Sequence, residues 1–305
     1  MTPLQRYIAE EIAVDHADGL IARREALRRL ALLGLGAVAA STLLAACASD
    51  GATPAPTPAT PPGGPTPGGA TPTPAGPPAV ATAPITFAGP QGRVLQGAWA
   101  QAAQPRGAVL VIHENRGLTD HIRSVAGRLA ASGYSALAID LLSEEGGTTS
   151  FADSAQATAA LGAAPEERLV ADMRAGVGEL ARRVPGKKVG AVGFCFGGGM
   201  VWSLLDSGEP RLAAAVPFYG PLPDGADFAG SKAAVLAIYA EQDSRVNASR
   251  DAAVAALTSA GLTHDIVTFP GVNHAFFNDT GARYDASAAA AAYQRVLDWF
   301  GRHLG

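Results

Sequence analysis

Lys188-Val189-Gly190-Ala191-Val192-Gly193-Phe194-Cys195-Phe196-Gly197-Gly198-Gly199 is an apolar run that closes in a G-x-C-x-G signature. The apolar part reads as a buried strand and the glycine-rich part as an abrupt turn into a helix. Such a turn holds its apex residue in strained backbone geometry and leaves no room for side chains two residues to either side. The arrangement presents a nucleophile, and cysteine stands where serine is usual. It also sets the N–H of Phe196 at a helix N-terminus, where it can donate to an oxyanion and favour a thiolate. Taken alone, the same stretch fits a tight turn around a small buried cysteine equally well.

Two downstream residues change that balance. Ala233 to Tyr239 is an apolar run of strand length, and Asp243 follows it closely. A helical stretch from about Ala248 to Ala260 leads to a β-rich run, Asp265 to Phe269, and then to Asn273-His274-Ala275-Phe276. Asp243 and His274 therefore both fall just past the carboxyl ends of predicted strands, where open α/β sheets build their sites. Singly, Asp243 reads as a turn or capping carboxylate and His274 as a polar loop histidine. In the order nucleophile, acid, histidine they become partners for Cys195.

The remaining core agrees on class. Ala108 to Ile112 and Ser135 to Asp140 read as strands, and the run Asp120 to Ser132 between them places Ile122, Val125, Ala126 and Leu129 on one helical face. Glu166 to Val184 carries a second stripe at Leu169, Met173, Val177 and Leu180. Arg211 to Val216 supplies a later strand and Ser287 to His303 a closing helix. Continuous apolar strands alternating with helices predict an α/β protein, its mostly parallel sheet covered by helices on both faces.

In this order the residues resemble the dienelactone hydrolases (carboxymethylenebutenolidases), a family of the α/β-hydrolase superfamily. The resemblance runs from about Ile85 to Gly305. It rests on Gly193 to Gly198, on Glu114 after the first long strand, on Asp243 and on His274-Ala275-Phe276. It implies an α/β-hydrolase fold in a single catalytic domain and a Cys195–His274–Asp243 triad with Glu114 beside the thiol. In the family that glutamate helps keep the resting cysteine protonated and takes part in its activation. The resemblance also implies an oxyanion hole from the backbone N–H groups of Asn115 and Phe196. The founding members hold a substrate carboxylate with arginines, one of them four residues after the triad histidine, where this chain has Asn278. A second family arginine lies in the loop beyond the strand ending near Asp140, yet Leu141 to Glu167 contains no Arg or Lys. Arg116 and Arg283 are the nearest charged candidates by sequence. The expected substrate is therefore a small-molecule ester or lactone in general.

A thiolate attacks an ester carbonyl, so the thiol needs a base within reach, and His274 oriented by Asp243 supplies one. This chemistry calls for neither metal nor organic cofactor. The remaining histidines (His16, His113, His121, His264 and His303) show no metal-ligand spacing. Two further readings stay open. The same fold can transfer the acyl group elsewhere or act mainly on thioesters or on cell-envelope acyl groups. A degenerate hydrolase can persist as a binding lipoprotein, against which the intact Cys195, Asp243, His274 and Glu114 count.

The amino-terminal region concerns location. Arg23-Arg24-Glu25-Ala26-Leu27-Arg28 resembles a twin-arginine export motif, with Ala26 in place of the usual aromatic. Leu30 to Ala46 is 17 uncharged residues, mostly apolar, short for a spanning helix and preceded by arginines, which suits a signal-peptide core. It ends in Leu44-Ala45-Ala46-Cys47, which resembles a bacterial lipobox and implies cleavage before Cys47 and a lipid anchor to a membrane. An ordinary signal peptide or an uncleaved apolar helix are the alternatives. Before it, Leu4, Ile8, Ile12 and Val14 are spaced for a short amphipathic helix within Met1 to Gly19. Residues 47–84 read as a linker, since Ser49 to Pro84 holds 12 of the 22 prolines and no apolar periodicity. Such a chain favours extended polyproline II and reaches up to ~100 Å. The expected division is leader and signal 1–46, linker 47–84 and catalytic domain 85–305.

The catalytic part, about 220 residues, suffices for one full core. A formal charge of −4 without a basic stripe argues against nucleic acid. Two cysteines with separate expected roles leave no disulfide to predict.

Overall fold

A computed structural model of the chain describes residues 1–49 and 73–305. They divide into two compact units, Met1–Thr73 and Pro74–Gly305. Within the first, helices α1 (Pro3–Ala17), α2 (Arg23–Leu32) and α3 (Ala37–Ser49) pack against one another. A capping box starts α1: Thr2 Oγ1 accepts from the Gln5 N–H at 3.1 Å and Gln5 Oε1 from the Thr2 N–H at 2.9 Å. The apolar run Leu30 to Ala46 is not one helix. It breaks between α2 and α3 at Gly34, whose φ of +86° ends α2. Among the described residues no helix is long and apolar enough to cross a membrane. Most of the expected linker, residues 50–72, lies outside the described residues.

The second unit contains, among its described residues, one eight-stranded sheet in the order β1-β2-β4-β3-β5-β6-β7-β8. Strands β1 (Ala83–Ala88) and β2 (Val94–Ala100) pair antiparallel, and β2 joins β4 (Tyr134–Asp140) antiparallel. From there β3 (Gly107–Ile112), β5 (Val189–Phe194), β6 (Leu212–Phe218), β7 (Ala234–Ala240) and β8 (His264–Phe269) run parallel, as β3 does with β4. Every residue of β3, β4, β5 and β7 is buried, which is how a parallel sheet covered on both faces presents itself. Helices α4 (Asp120–Ala131), α5 (Ser154–Ala163), α6 (Glu166–Arg183), α7 (Phe196–Asp206), α8 (Ser244–Asn247), α9 (Arg250–Ser259) and α10 (Ala286–His303) complete the unit, with α4, α6, α7 and α10 packed on the sheet. The α4 and α6 stripes are buried as their spacing predicts: Ile122, Leu169, Met173, Val177 and Leu180 are all fully enclosed.

The second compact unit includes residues before Ile85. Val80 N–H donates to the Gly127 carbonyl at 3.1 Å and Arg128 Nη1 to the Ala75 carbonyl at 2.8 Å, so residues 75–80 dock on α4 before β1 begins at Ala83. These contacts use main-chain groups, and composition carries no trace of them. The stretch 141–165 holds two short 3-10 turns and α5, whose N-cap Asp153 accepts from the Gln156 N–H at 2.9 Å.

Candidate active site

The strand-to-helix turn forms where the glycine spacing predicts it. β5 ends at Phe194, α7 begins at Phe196, and Cys195 between them has φ +57° and ψ −119°. A Cβ on Gly193 would stand 2.1 Å from the Gly197 carbonyl oxygen, and one on Gly197 would stand 2.4 and 2.5 Å from the carbonyl oxygens of Ile112 and His113. Backbone therefore meets backbone on both sides of the elbow, and only glycine fits. The Cys195 N–H donates to the Phe218 carbonyl at 3.1 Å, tying the apex to the end of β6. The N–H of Phe196 belongs to the first turn of α7, where no intrahelical carbonyl can take it.

Asp243 and His274 arrive from β7 and β8. Asp243 caps α8, Oδ1 accepting from the Val246 N–H at 3.3 Å, while Oδ2 lies 2.5 Å from His274 Nδ1. Burial pushes the Asp243 carboxyl up, but the charge and hydrogen bond of His274, with Arg245 nearby, hold it below the usual carboxylate range. An ionised carboxylate only accepts, so Nδ1 carries the proton and Nε2 is the atom that can receive one. A ring nitrogen of His274 and Cys195 Sγ lie within 4.8 Å of each other. Of the four non-glycine residues with positive φ among those described, three, Cys195, Tyr219 and Ala275, stand on this edge of the sheet. Tyr219 (φ +33°) sets its ring 5.0 Å from that of His274, centroid to centroid, a neighbour for which the sequence holds no signal. Such strain concentrates where geometry is set for function.

Glu114 follows β3, whose Ile112 pairs with Gly193 of β5, so two residues further on each strand reach Glu114 and Cys195. The Asn278 side-chain amide donates to Glu114 Oε2 at 2.6 Å. Position 278 thus presents a neutral donor to the glutamate. Asn115 comes next along the chain, and its carbonyl accepts from Thr158 Oγ1 of α5 at 2.8 Å. Arg116 is exposed, and Arg283 is half-buried in the segment before α10. The fold thus brings Cys195, His274, Asp243, Glu114 and the backbone of Asn115 and Phe196 to one end of the sheet. Cys47 belongs to the other unit, on the backbone of α3. The arrangement offers a thiol, a base oriented by a carboxylate, and backbone donors at a helix start: the parts needed for acyl transfer.

A model of the dienelactone hydrolase family matches residues 95–304. A protein of Escherichia coli strain K12 named as a candidate carboxymethylenebutenolidase is 32% identical over 219 residues, covering 67% of this chain and 80% of its own. One from Methylorubrum extorquens, named likewise, is 30% identical over 213 residues, 64% of this chain and 72% of its own. Among solved structures, a candidate dienelactone hydrolase from Klebsiella pneumoniae superposes with a TM-score of 0.63 at 28% identity, covering 73% of this chain and all 100% of that one. A dienelactone hydrolase-like promiscuous phosphotriesterase from metagenomic libraries gives a TM-score of 0.58 at 25% identity, over 74% of this chain and 100% of its own.

Proposed function

The chain belongs to the dienelactone hydrolase family, and from that membership we propose that it cleaves ester or lactone bonds through the Cys195 thiolate and a thioester acyl-enzyme. In this reading His274 Nε2 takes the thiol proton and the thiolate adds to the substrate carbonyl. The N–H groups of Asn115 and Phe196 receive the oxyanion; a donor of this kind contributes on the order of 10²–10³ in rate. Collapse breaks the C–O bond, His274 returns its proton to the leaving oxygen, and the acyl group stays on sulfur. Water, deprotonated by His274, then hydrolyses the thioester. Asp243 fixes the imidazole tautomer and stabilises the imidazolium. Glu114 modulates the protonation of the thiol from the neighbouring strand end.

The observation that carries the proposal is the 2.5 Å Asp243–His274 contact, with a ring nitrogen within 4.8 Å of a cysteine at an elbow. Export and lipid attachment at Cys47, with the acyl chain holding the protein at a membrane surface, complete the proposal. The test is hydrolysis by the full chain of dienelactone and of a small p-nitrophenyl ester, beside Cys195→Ala. Turnover of either substrate that vanishes in the variant supports the cysteine mechanism, and dienelactone turnover extends it to the family's namesake. Equal rates in both proteins would refute it.

A further inference from the structure

His113 has no part in the chemistry above, yet it touches two residues of the site, Glu114 and Phe196. Its imidazole is fully enclosed between β3 and the loop after β4. The Leu141 N–H donates to Nε2 at 3.1 Å, and Nδ1 lies 2.7 Å from the Glu114 carbonyl oxygen. A main-chain N–H can only donate and a carbonyl can only accept, so these partners select the neutral ring with its proton on Nδ1. Burial pushes this imidazole below its ordinary range, against the pull of the Asp140 carboxylate, and so favours the same neutral form.

The acceptor is what gives the contact its consequence. The Glu114 carbonyl belongs to the planar trans peptide unit whose other end is the Asn115 N–H, and in such a unit the two point in opposite directions. Fixing the oxygen therefore fixes the direction of the N–H. The oxygen's second lone pair takes the Gly117 N–H at 3.2 Å, closing a turn, and Thr158 holds the next carbonyl at 2.8 Å. The face of the His113 ring stacks on Phe196, with centroids 6.1 Å apart and planes at 14°. Phe196 is the residue that carries the second donor.

We propose that His113 is a positioning residue that aims the oxyanion hole, clamping the 114–115 peptide plane by hydrogen bond and bracing Phe196 by stacking. The inference rests on the reading of Asn115 and Phe196 as the oxyanion donors. Donors out of line lose transition-state stabilisation while ground-state binding persists, so kcat falls and KM does not.

The experiment compares three variants in the full chain with a p-nitrophenyl ester. In His113→Asn the amide nitrogen replaces Nδ1 and still reaches the Glu114 carbonyl. His113→Gln places its amide near Nε2, keeping the Leu141 contact without the clamp. His113→Phe keeps the stacking and loses both hydrogen bonds. Loss of a whole oxyanion donor costs on the order of 10²–10³, so misalignment in the Gln and Phe variants is expected to lower kcat about tenfold or more. The Asn variant should stay within about threefold of the parent, and KM within about twofold throughout. Affinity for a trifluoromethyl ketone, which forms a tetrahedral oxyanion on the nucleophile, should fall in step with kcat. Alkylation of Cys195 by iodoacetamide, which forms no oxyanion, should keep its rate. Parental kcat in the Gln variant, or parallel loss of KM, kcat and alkylation in all three, would overturn the proposal. If the Phe variant fails to fold, the Asn–Gln contrast decides. Cys195→Ala runs beside them: hydrolysis that persists there refutes the reading of the site itself, whereas hydrolysis lost there but intact in His113→Gln refutes only the role of His113.

Discussion

Cys195 keeps a backbone conformation that costs a non-glycine residue on the order of 1–3 kcal/mol, and the backbone contacts across Gly193 and Gly197 are what enforce it. Its partners are tuned by burial and charge. Asp243 and His113 both titrate below their ordinary values, the first because His274 outweighs the burial that pushes it up, the second because of burial itself. A group with a depressed folded value contributes stability that is present above its unfolded pKa and lost as pH falls through the folded one. Stability should therefore fall in two stages on acidification, below about pH 6.5 as unfolded His113 binds a proton and below about pH 4 as the carboxylates do. Thermal unfolding followed by circular dichroism from pH 8 to 3 checks this; His113→Asn should flatten the first stage, and a midpoint independent of pH down to 4 would contradict it. The elbow and the Asp243–His274 contact were legible because the elbow has a spacing signature and the other two residues follow it in a set order. The clamp at His113 was not, because the direction of a peptide plane leaves no mark on residue spacing. The Asn278–Glu114 bond joins residues 164 apart, and only the fold brings them together.

At the scale of elements, the turn that carries His274 is pinned to α4 from below. His121 and Arg128 stand seven residues apart, on one face of α4, and both meet Asp279: Nδ1 of His121 at 2.6 Å from Oδ1, and Nη1 of Arg128 at 3.5 Å from Oδ2. Asp279 directly follows Asn278, so this buried ionic staple also holds the amide that meets Glu114. The Arg128 side chain is 1% exposed, and among the described residues its Nε and Nη2 find no hydrogen-bond partner. Removing Asp279 would leave a buried guanidinium without its counter-charge, at a cost of about 3–5 kcal/mol. Urea unfolding of Asp279→Ala should register that loss together with a lower kcat, and a variant within about 1 kcal/mol of the parent would show that the staple does not hold the turn. Helices α4 and α6 were readable because burial of one face imposes a period on them, and the parallel strands because burial on both faces makes them continuous apolar runs. The β1–β2 pair was missed because an edge strand exposed at most positions and containing Pro84 breaks alternation, and α5 because its alanine-rich sequence has no polar face to define a stripe.

For the whole molecule, the site at one end of a sheet in the unit Pro74–Gly305 follows, along the chain, the lipobox-like stretch Leu44 to Cys47 and a proline-rich segment. Charge and composition suggest that division in the sequence; in the structure residues 75–84 are tied into the second unit through main-chain groups, contacts that proline and threonine content does not reveal. The tether proposal makes its own prediction: expressed in a bacterium, the chain should incorporate labelled palmitate, and Cys47→Ala should abolish the label; equal labelling of both would exclude Cys47 as the anchor. The central claim concerns the bond formed at Cys195. Its most direct test is mass spectrometry of the full chain quenched in acid during turnover of a slow p-nitrophenyl ester. The account predicts one acyl group, removable by hydroxylamine, on the peptide that contains Cys195 and none on Cys195→Ala. An acyl group on any other residue, or unabated turnover by Cys195→Ala, would contradict it.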